Sequence, residues 1–335
     1  MRKWMSLLLL FVAAAGDGRP AELERRFERE FSGELETVVI RAPRGLIEIS
    51  NAPAGGALKL VVDLRVHDRD SKDRTILDRL TPDLLAPLKR NAEAAFRDLA
   101  PRFKADTKRV EMIVRDSRPV VFDSDLALQM IIAIRAEVPE GVKLQVKSVS
   151  AGVIVEDYRG TPEVSGESGS YFVKSVDGDF VASTTSGSIT VGEVTGKVRL
   201  RTASGNILTG KLRGPAKLSS ANGTIEVQQA YDALKIDAAD ADIVLGVSHP
   251  LPKSIDVETS AGTITLNVDR DLPLTVDAAT RLLGKVRTRG LEPEIRRGSF
   301  NQSSMLADFN GGGEPVRLRT TGGNILLVGR EPLDG

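Results

Sequence analysis

Cysteine is absent from this chain of 335 residues, which removes disulfides, thiolate metal sites and a cysteine nucleophile together. Only two histidines occur, His67 and His249, so a histidine-centred metal site or a Ser-His relay has almost nothing to be built from. Aromatic residues make up 4% of the chain, with a single tryptophan; base-stacking platforms and aromatic sugar clamps are disfavoured accordingly. Net charge is missing as well, because 46 Lys+Arg balance 46 Asp+Glu, and no overall field draws the protein to nucleic acid or to an anionic membrane. The expectation is no cofactor, no metal, no nucleic-acid partner and at most a peripheral membrane association.

Long apolar runs are lacking except at the start. Residues 4–15 are almost wholly apolar, follow Arg2 and Lys3, and end in Ala13-Ala14-Ala15 before Gly16-Asp17-Gly18. A basic start, a short apolar stretch and small residues before the cut describe a secretory signal peptide over residues 1–15. The run is shorter than the ~20 residues that span a bilayer. With no cysteine after it there is no lipid attachment point, and the protein is expected to be exported, to the periplasm, the medium or the cell surface.

What the chain has in abundance is repetition. Around residues 198–227 one unit is written twice: alternating apolar residues, a Ser-Gly or Asn-Gly break, then Ile two positions beyond the glycine. With the break as marker, Ala151, Gly169, Gly187, Gly205, Gly223 and Ala241 recur every 18 residues, followed at wider spacing by Gly262, Gly284 and Gly323. Two positions after each marker stand Val153, Tyr171, Ile189, Ile207, Ile225, Ile243, Ile264, Val286 and Ile325. Before the marker, Val198, Leu200 and Thr202 (with Ala216, Leu218, Ser220; Leu234, Ile236, Ala238; Ile255, Val257, Thr259; and Val316, Leu318, Thr320) share one face, because side chains two apart on a strand point the same way. A unit of this size cannot enclose its own apolar face, whereas units stacked ~4.8 Å apart build one core. The expected fold is mainly β: a single-stranded, right-handed β-solenoid (β-helix) of 18-residue coils.

Residues 16–30 are charged and weakly patterned, and are expected to be a lead-in to a solenoid domain over residues 31–330. Val38, Ile40, Ala42, Gly45, Ile47 and Ile49 repeat the register far upstream, which predicts a first coil there. Residues 57–66 read as a strand with Leu58, Leu60, Val62, Leu64 and Val66 on one face. Across an insertion at residues 68–106 the period changes to about 3.6: Leu77, Leu80, Leu84, Leu88, Ala92, Ala95, Phe96, Leu99 and Phe103 form an apolar stripe. Thr81-Pro82 predicts a helix start and Pro101 a stop, hence two helices near residues 70–105. Residues 110–114, 120–122 and 126–138 read as strands, and residues 281–309 as an exposed loop. One and three positions after the markers the chain should face outward, yet Ile154, Phe172, Leu208, Val244 and Leu326 fall there, so a cover is expected, either the helical insertion or a partner.

The chain resembles the bacterial putative-adhesin family of β-strand repeat proteins. The likeness is carried by Val138-Pro139-Glu140-Gly141-Val142-Lys143-Leu144, by Ser186-Gly187, Ser204-Gly205 and Ala261-Gly262 in serial register, and by Gly311-Gly312-Gly313 ahead of Ile325. It spans residues 31–330 with the insertion as its departure, and implies an envelope-associated or secreted β-helical protein with no assigned catalytic residues.

An enzyme would have to work with carboxylates, as β-helical polysaccharide lyases and hydrolases do. Asp237, Asp240 and Asp242 lie close in sequence, with Asp256 and Glu258 on the next coil, and such a set can bind Ca²⁺ or supply an acid and a base. Against this, Arg199, Arg201, Lys217, Lys235, Arg317 and Arg319 occupy the same outward columns, which reads as cross-strand charge pairing. The reading is a non-enzymatic exported solenoid, adhesin-like or structural, that binds an envelope glycan or protein; the alternative is a polysaccharide-acting enzyme.

Overall fold

Strict alternation of apolar and polar residues needs a pleated partner on each side, and pairing is where the repeat length becomes structural. The structure, a computed structural model, describes residues 9–11, 23–68, 82–115, 128–282, 284–292 and 294–331. It is mainly β, with its strands in a large sheet. Most of the expected leader, the first of the two expected helices (with Leu77 and Leu80) and the strand at residues 120–122 lie outside the described residues.

Two compact units divide at Tyr158 and Arg159. The first contains β1 (Leu9–Phe11), β2 (Glu24–Phe31), β3 (Thr37–Asn51), β4 (Leu58–Asp68), α1 (Pro82–Asp98), β5 (Arg102–Ala105), β6 (Arg109–Ile113), β7 (Leu128–Val138) and β8 (Lys143–Arg159). Long, bent β3 pairs with β8 in parallel and sets Gly45 opposite Ala151 and Ile47 opposite Val153, the register the sequence predicts. The same unit also carries antiparallel pairing, β2 with β4 and β4 with β7. The lead-in reading of residues 16–30 is corrected by β2. Its charges are cross-strand partners, Lys59 with Glu28 at 3.1 Å and Arg65 with Glu24 at 2.7 Å, and Arg29 lies over the rings of Phe31 and Phe103 at 5.7 and 4.9 Å.

Helix α1 begins at Pro82, where a missing N–H costs nothing, and carries Asp83 in its first turn and Arg97 in its last, as the macrodipole favours. Leu88, Ala92, Ala95, Phe96 and Leu99 are buried, so the apolar stripe faces core rather than a free partner. Phe103 departs from that stripe: Pro101 ends the helical period, and Phe103 sits in strand β5 with its ring 5.8 Å from Phe31. Tyr158 is 1% exposed and donates from Oη to the Val142 carbonyl at 2.7 Å. Burial pushes its phenol well above the ordinary value of 10.0.

The second unit contains β9 (Thr161–Ser168), β10 (Tyr171–Asp177), β11 (Phe180–Ser186), β12 (Ile189–Val194), β13 (Val198–Ser204), β14 (Ile207–Leu212), β15 (Ala216–Ala230), β16 (Leu234–Val247), β17 (Ile255–Thr259), β18 (Ile264–Asp269), β19 (Leu274–Thr280), β20 (Val286–Arg289), β21 (Glu294–Phe300), β22 (Ser304–Phe309), β23 (Glu314–Thr320) and β24 (Ile325–Arg330). Two parallel ladders run through it. Tyr171, Ile189, Ile207, Ile225, Ile243 and Ile264 pair in turn, and each is at most 1% exposed. Burying one such aliphatic side chain contributes about 1.5–3 kcal/mol. At Thr202, Ser220, Thr259, Thr280 and Thr320 the third inward position is a buried hydroxyl that serves a bend carbonyl of the neighbouring rung. Thr202 donates to the Gly187 carbonyl at 3.1 Å and Thr320 to that of Gly262 at 3.2 Å.

At the bends one rung lies tight on the next. Gly187 and Gly205 have φ of +154° and +148°, and a Cβ on either would stand 2.2 Å from the preceding marker's carbonyl oxygen. Only glycine fits both the torsion and the space.

The ladder does not follow sequence order at its far end. Ile264 pairs with Ile325, and Ile325 with Val286, so the last coil, β23–β24, is inserted between β17–β18 and β19–β20. Residues 281–309, expected as a loop, form β20, β21 and β22. Strand β22 pairs antiparallel with both β19 and β21, and Met305, Ala307 and Phe309 are buried. The alternation is broken in sequence because Leu306, at an outward position, is itself apolar. The hairpin covers a strand edge that would otherwise be open to pairing with another chain.

Two substitutions and one titration test this packing. Gly205→Ala is expected to destabilise by more than ~1 kcal/mol, and Ile207→Ala by ~2–5 kcal/mol, both read from urea midpoints. Because the Tyr158 phenol titrates higher when folded, the unfolded chain loses its proton first and stability falls as pH rises past 10.0. Tyr158→Phe removes that share of the alkaline loss while leaving the Val142 carbonyl without its donor, at ~1–3 kcal/mol; urea midpoints on either side of that pH separate the two effects.

Candidate functional site

Outward positions of the second unit fall into straight columns because the pairing register is unbroken from rung to rung. One column runs Glu163, Val181, Arg199, Lys217, Lys235, Asp256, Arg317 and Asp277. The next runs Ser165, Ser183, Arg201, Ser219, Asp237, Glu258 and Arg319. Opposite signs do alternate at the lower end. Lys235 lies 3.7 Å from Asp256, and Arg319 is bound to Asp277 through both its carboxylate and, at 2.7 Å, its carbonyl.

The upper end corrects the expectation of paired charges. Arg199, Lys217 and Lys235 are cations on three successive rungs in direct register, an arrangement that opposes folding by ~0.2–1 kcal/mol per neighbouring pair. Asp237 answers part of it, 3.1 Å from Lys217 and 3.6 Å from Lys235. These are half-exposed pairs worth at most ~1 kcal/mol. Arg199 and Arg201 are exposed and make no ion pair among the described residues.

The cation column borders a groove of about 410 Å³ lined by Val181, Pro215, Ala216, Ala233, Asp179 and Lys197. Its floor is fixed by hydrogen bonds from rung to rung: the Asp179 carboxylate accepts the Lys197 N–H at 2.8 Å. Next to Ala233, the Asp232 carboxyl is held below its ordinary range chiefly by the Ala233 N–H and then by Lys253. A second concavity of about 360 Å³ is lined by Lys211, Glu226, Gln229, Ser248, Asn267 and Arg330. There the Arg330 Nε is 2.7 Å from buried Asp269, and its Nη2 has no hydrogen-bond partner among the described residues.

Of the carboxylates weighed for catalysis, the register brings Asp237, Asp256 and Glu258 to neighbouring outward positions and leaves Asp240 and Asp242 apart from them at the bend. Asp237 and Asp256 serve the lysines above, and Asp242 accepts the Thr263 N–H of the next rung at 2.8 Å, a structural role shared by Asn206 toward Thr224 at 3.0 Å. Asp240 stands opposite Asn222, and Glu258 opposite Asp237. Neither histidine joins them. His249 is exposed, 3.8 Å from Asp271, and His67 lies on β4 in the other unit. Among the described residues no cluster of three or more His, Asp or Glu could hold a metal ion.

Nor do the outward apolar residues form a continuous stripe. Phe172, Leu208, Val244 and Leu326 alternate along their column with Thr190, Glu226 and Thr265. Phe172 is 52% exposed and the others are half-buried. Ile154 lies opposite Glu48 in the first unit. Polar stems on the intervening rungs shield each apolar side chain, and helix α1, the expected cover, buries its own stripe in the first unit.

No family model and no curated protein matches the chain. Several solved structures resemble it, among them the following three. A putative adhesin from Bacteroides fragilis NCTC 9343 is 11% identical over 91% of this chain and 97% of its own, with a TM-score of 0.41. A putative lipid binding protein from Parabacteroides distasonis ATCC 8503 is 8% identical over 91% and 97%, TM-score 0.39. A putative cell adhesion protein from Clostridium sporogenes ATCC 15579 is 10% identical over 98% and 100%, TM-score 0.20. Likeness at these values carries no argument about function.

The column's repulsion is measurable. Arg199→Glu sets an acid beside Lys217 without removing any ion pair, and is expected to raise stability by ~0.2–1 kcal/mol. The gain should vanish near 1 M salt, where the screening length falls to ~3 Å; paired urea melts at low and high salt read both.

Proposed function

We propose that the protein is an exported, non-enzymatic, adhesin-like β-solenoid, right-handed, that works in the periplasm or at the cell surface by binding an extended envelope polymer, a glycan or a protein. The observation that carries the reading is the column of three stacked cations along a shallow groove, Arg199 with no ion pair among the described residues and Lys217 and Lys235 sharing Asp237. A repeated shallow face suits a chain-like ligand that advances rung by rung. It does not suit a small substrate, which is typically engulfed in a deep pocket with convergent polar groups. The parallel pairing at an 18-residue offset supports the solenoid winding, and right-handed crossovers are the rule for parallel strands. The basic-apolar-small pattern of residues 1–15 supports export. Among the described residues no helix is long and apolar enough to cross a membrane.

Expression of the full chain in a Gram-negative host, followed by fractionation and N-terminal sequencing, tests export: the product is expected outside the cytoplasm and beginning near Gly16. Affinity capture from solubilised envelope fractions tests binding. Retention of a glycan or protein that competes in solution supports the reading, whereas an unprocessed cytoplasmic product that retains nothing contradicts it.

A further inference from the structure

We infer that the groove beside Arg199, Lys217 and Lys235 binds an acidic polysaccharide, its carboxylates meeting Arg199 and Arg201 first, with Lys217 and Lys235 beside them. This deepens the envelope-polymer reading and rests on it.

Three observations point to this occupant. The pairing register places the three cations one rung apart, ~4.8 Å; Asp237 and Asp256 serve Lys217 and Lys235, and among the described residues the charge left without an internal partner is that of Arg199 and Arg201. An anionic polymer supplies the missing charge. The ladder's shallow, linear shape selects a chain-like polyanion, and a uronate chain carries one carboxylate on every ring, so it can engage the cluster at more than one cation.

The groove surface agrees. Val181, Pro215 and Ala233 line it, small apolar groups that accept the C–H face of a sugar ring. No aromatic side chain lines it, so a single-stranded nucleic acid finds no stacking platform. In the neighbouring column Ser183 and Ser219 flank Arg201 in register, hydroxyls within a rung of the cations and suited to ring hydroxyls. Arg199 and Arg201 lie two residues apart on one strand face, and a guanidinium fork meets a carboxylate with two parallel hydrogen bonds.

The test uses the full chain, purified, on biosensor surfaces bearing polygalacturonate, its methyl ester, polyglutamate or a single-stranded oligonucleotide. Saturable binding to polygalacturonate is expected, with little to the uncharged methyl ester, weaker binding to the other polyanions, and a decline with added salt. The variant Arg199→Ser/Lys217→Ser/Lys235→Ser should bind about tenfold less tightly for each cation removed. Arg317→Ser, in the same column but between two aspartates, should bind as wild type does. Equal binding to the methyl ester, preference for polyglutamate or the oligonucleotide, or an unaffected triple variant overturns the inference. If the triple variant loses its β circular-dichroism spectrum, the comparison of wild type on polygalacturonate and on its ester decides alone. Failure on polygalacturonate with retention of a neutral envelope glycan or a protein sinks this inference and leaves the envelope reading standing; retention of nothing from the envelope sinks both.

Discussion

Parallel pairing at a fixed offset makes each position in the repeat meet its own equivalent, 18 residues on. That one constraint builds the core, since an isoleucine placed over an isoleucine removes both from water. It also dictates the bends at Gly187 and Gly205, where the preceding marker's carbonyl occupies the space a Cβ would need and glycine lies over glycine, while alanine takes the marker at Ala151 and Ala241. Buried Thr202, Thr259, Thr280 and Thr320 follow from the same geometry, because a bend carbonyl drawn out of water needs a donor and the hydroxyl one rung away provides it.

Charges are subject to the same constraint, and there it works against stability. A repeat that copies a cation at an outward position stacks cations, as at Arg199, Lys217 and Lys235. Where the sequence changes sign from rung to rung the column neutralises itself, as at Lys235, Asp256 and Arg317. The proposed binding surface is thus the part of the column where register and electrostatics disagree, which is where strained or functional features are expected.

The ladder and its core are legible in the sequence because they depend only on period: all of the predicted inward isoleucines are buried, and even Gly45, distant from the other markers, pairs where spacing puts it. The start of α1 is legible from Pro82. What escapes is whatever period does not encode. Strand β2 is held by ion pairs and guanidinium–ring stacking that an apolar pattern cannot register. The insertion of β23–β24 between earlier coils escapes because spacing becomes irregular after Gly262, and uneven spacing carries no information about order. Asp63 and Asp269, buried beside Arg135 at 3.1 Å and Arg330 at 2.7 Å, look in sequence like any solvated carboxylates. Asp242 qualifies by sequence as a candidate acid, and only the fold reveals that its oxygen is committed to the Thr263 N–H.

That one 18-residue unit equals one rung is the central claim, and excising a unit tests it most directly. Deleting residues 188–205 joins Gly187 to Asn206 and brings Val181 opposite Lys217 with every column restored. The predicted result is a folded protein with an unchanged β circular-dichroism signal per residue and a cooperative melt, while deletion of half that length abolishes both. Two deletions of equal effect, or a tolerated half-unit, would contradict it.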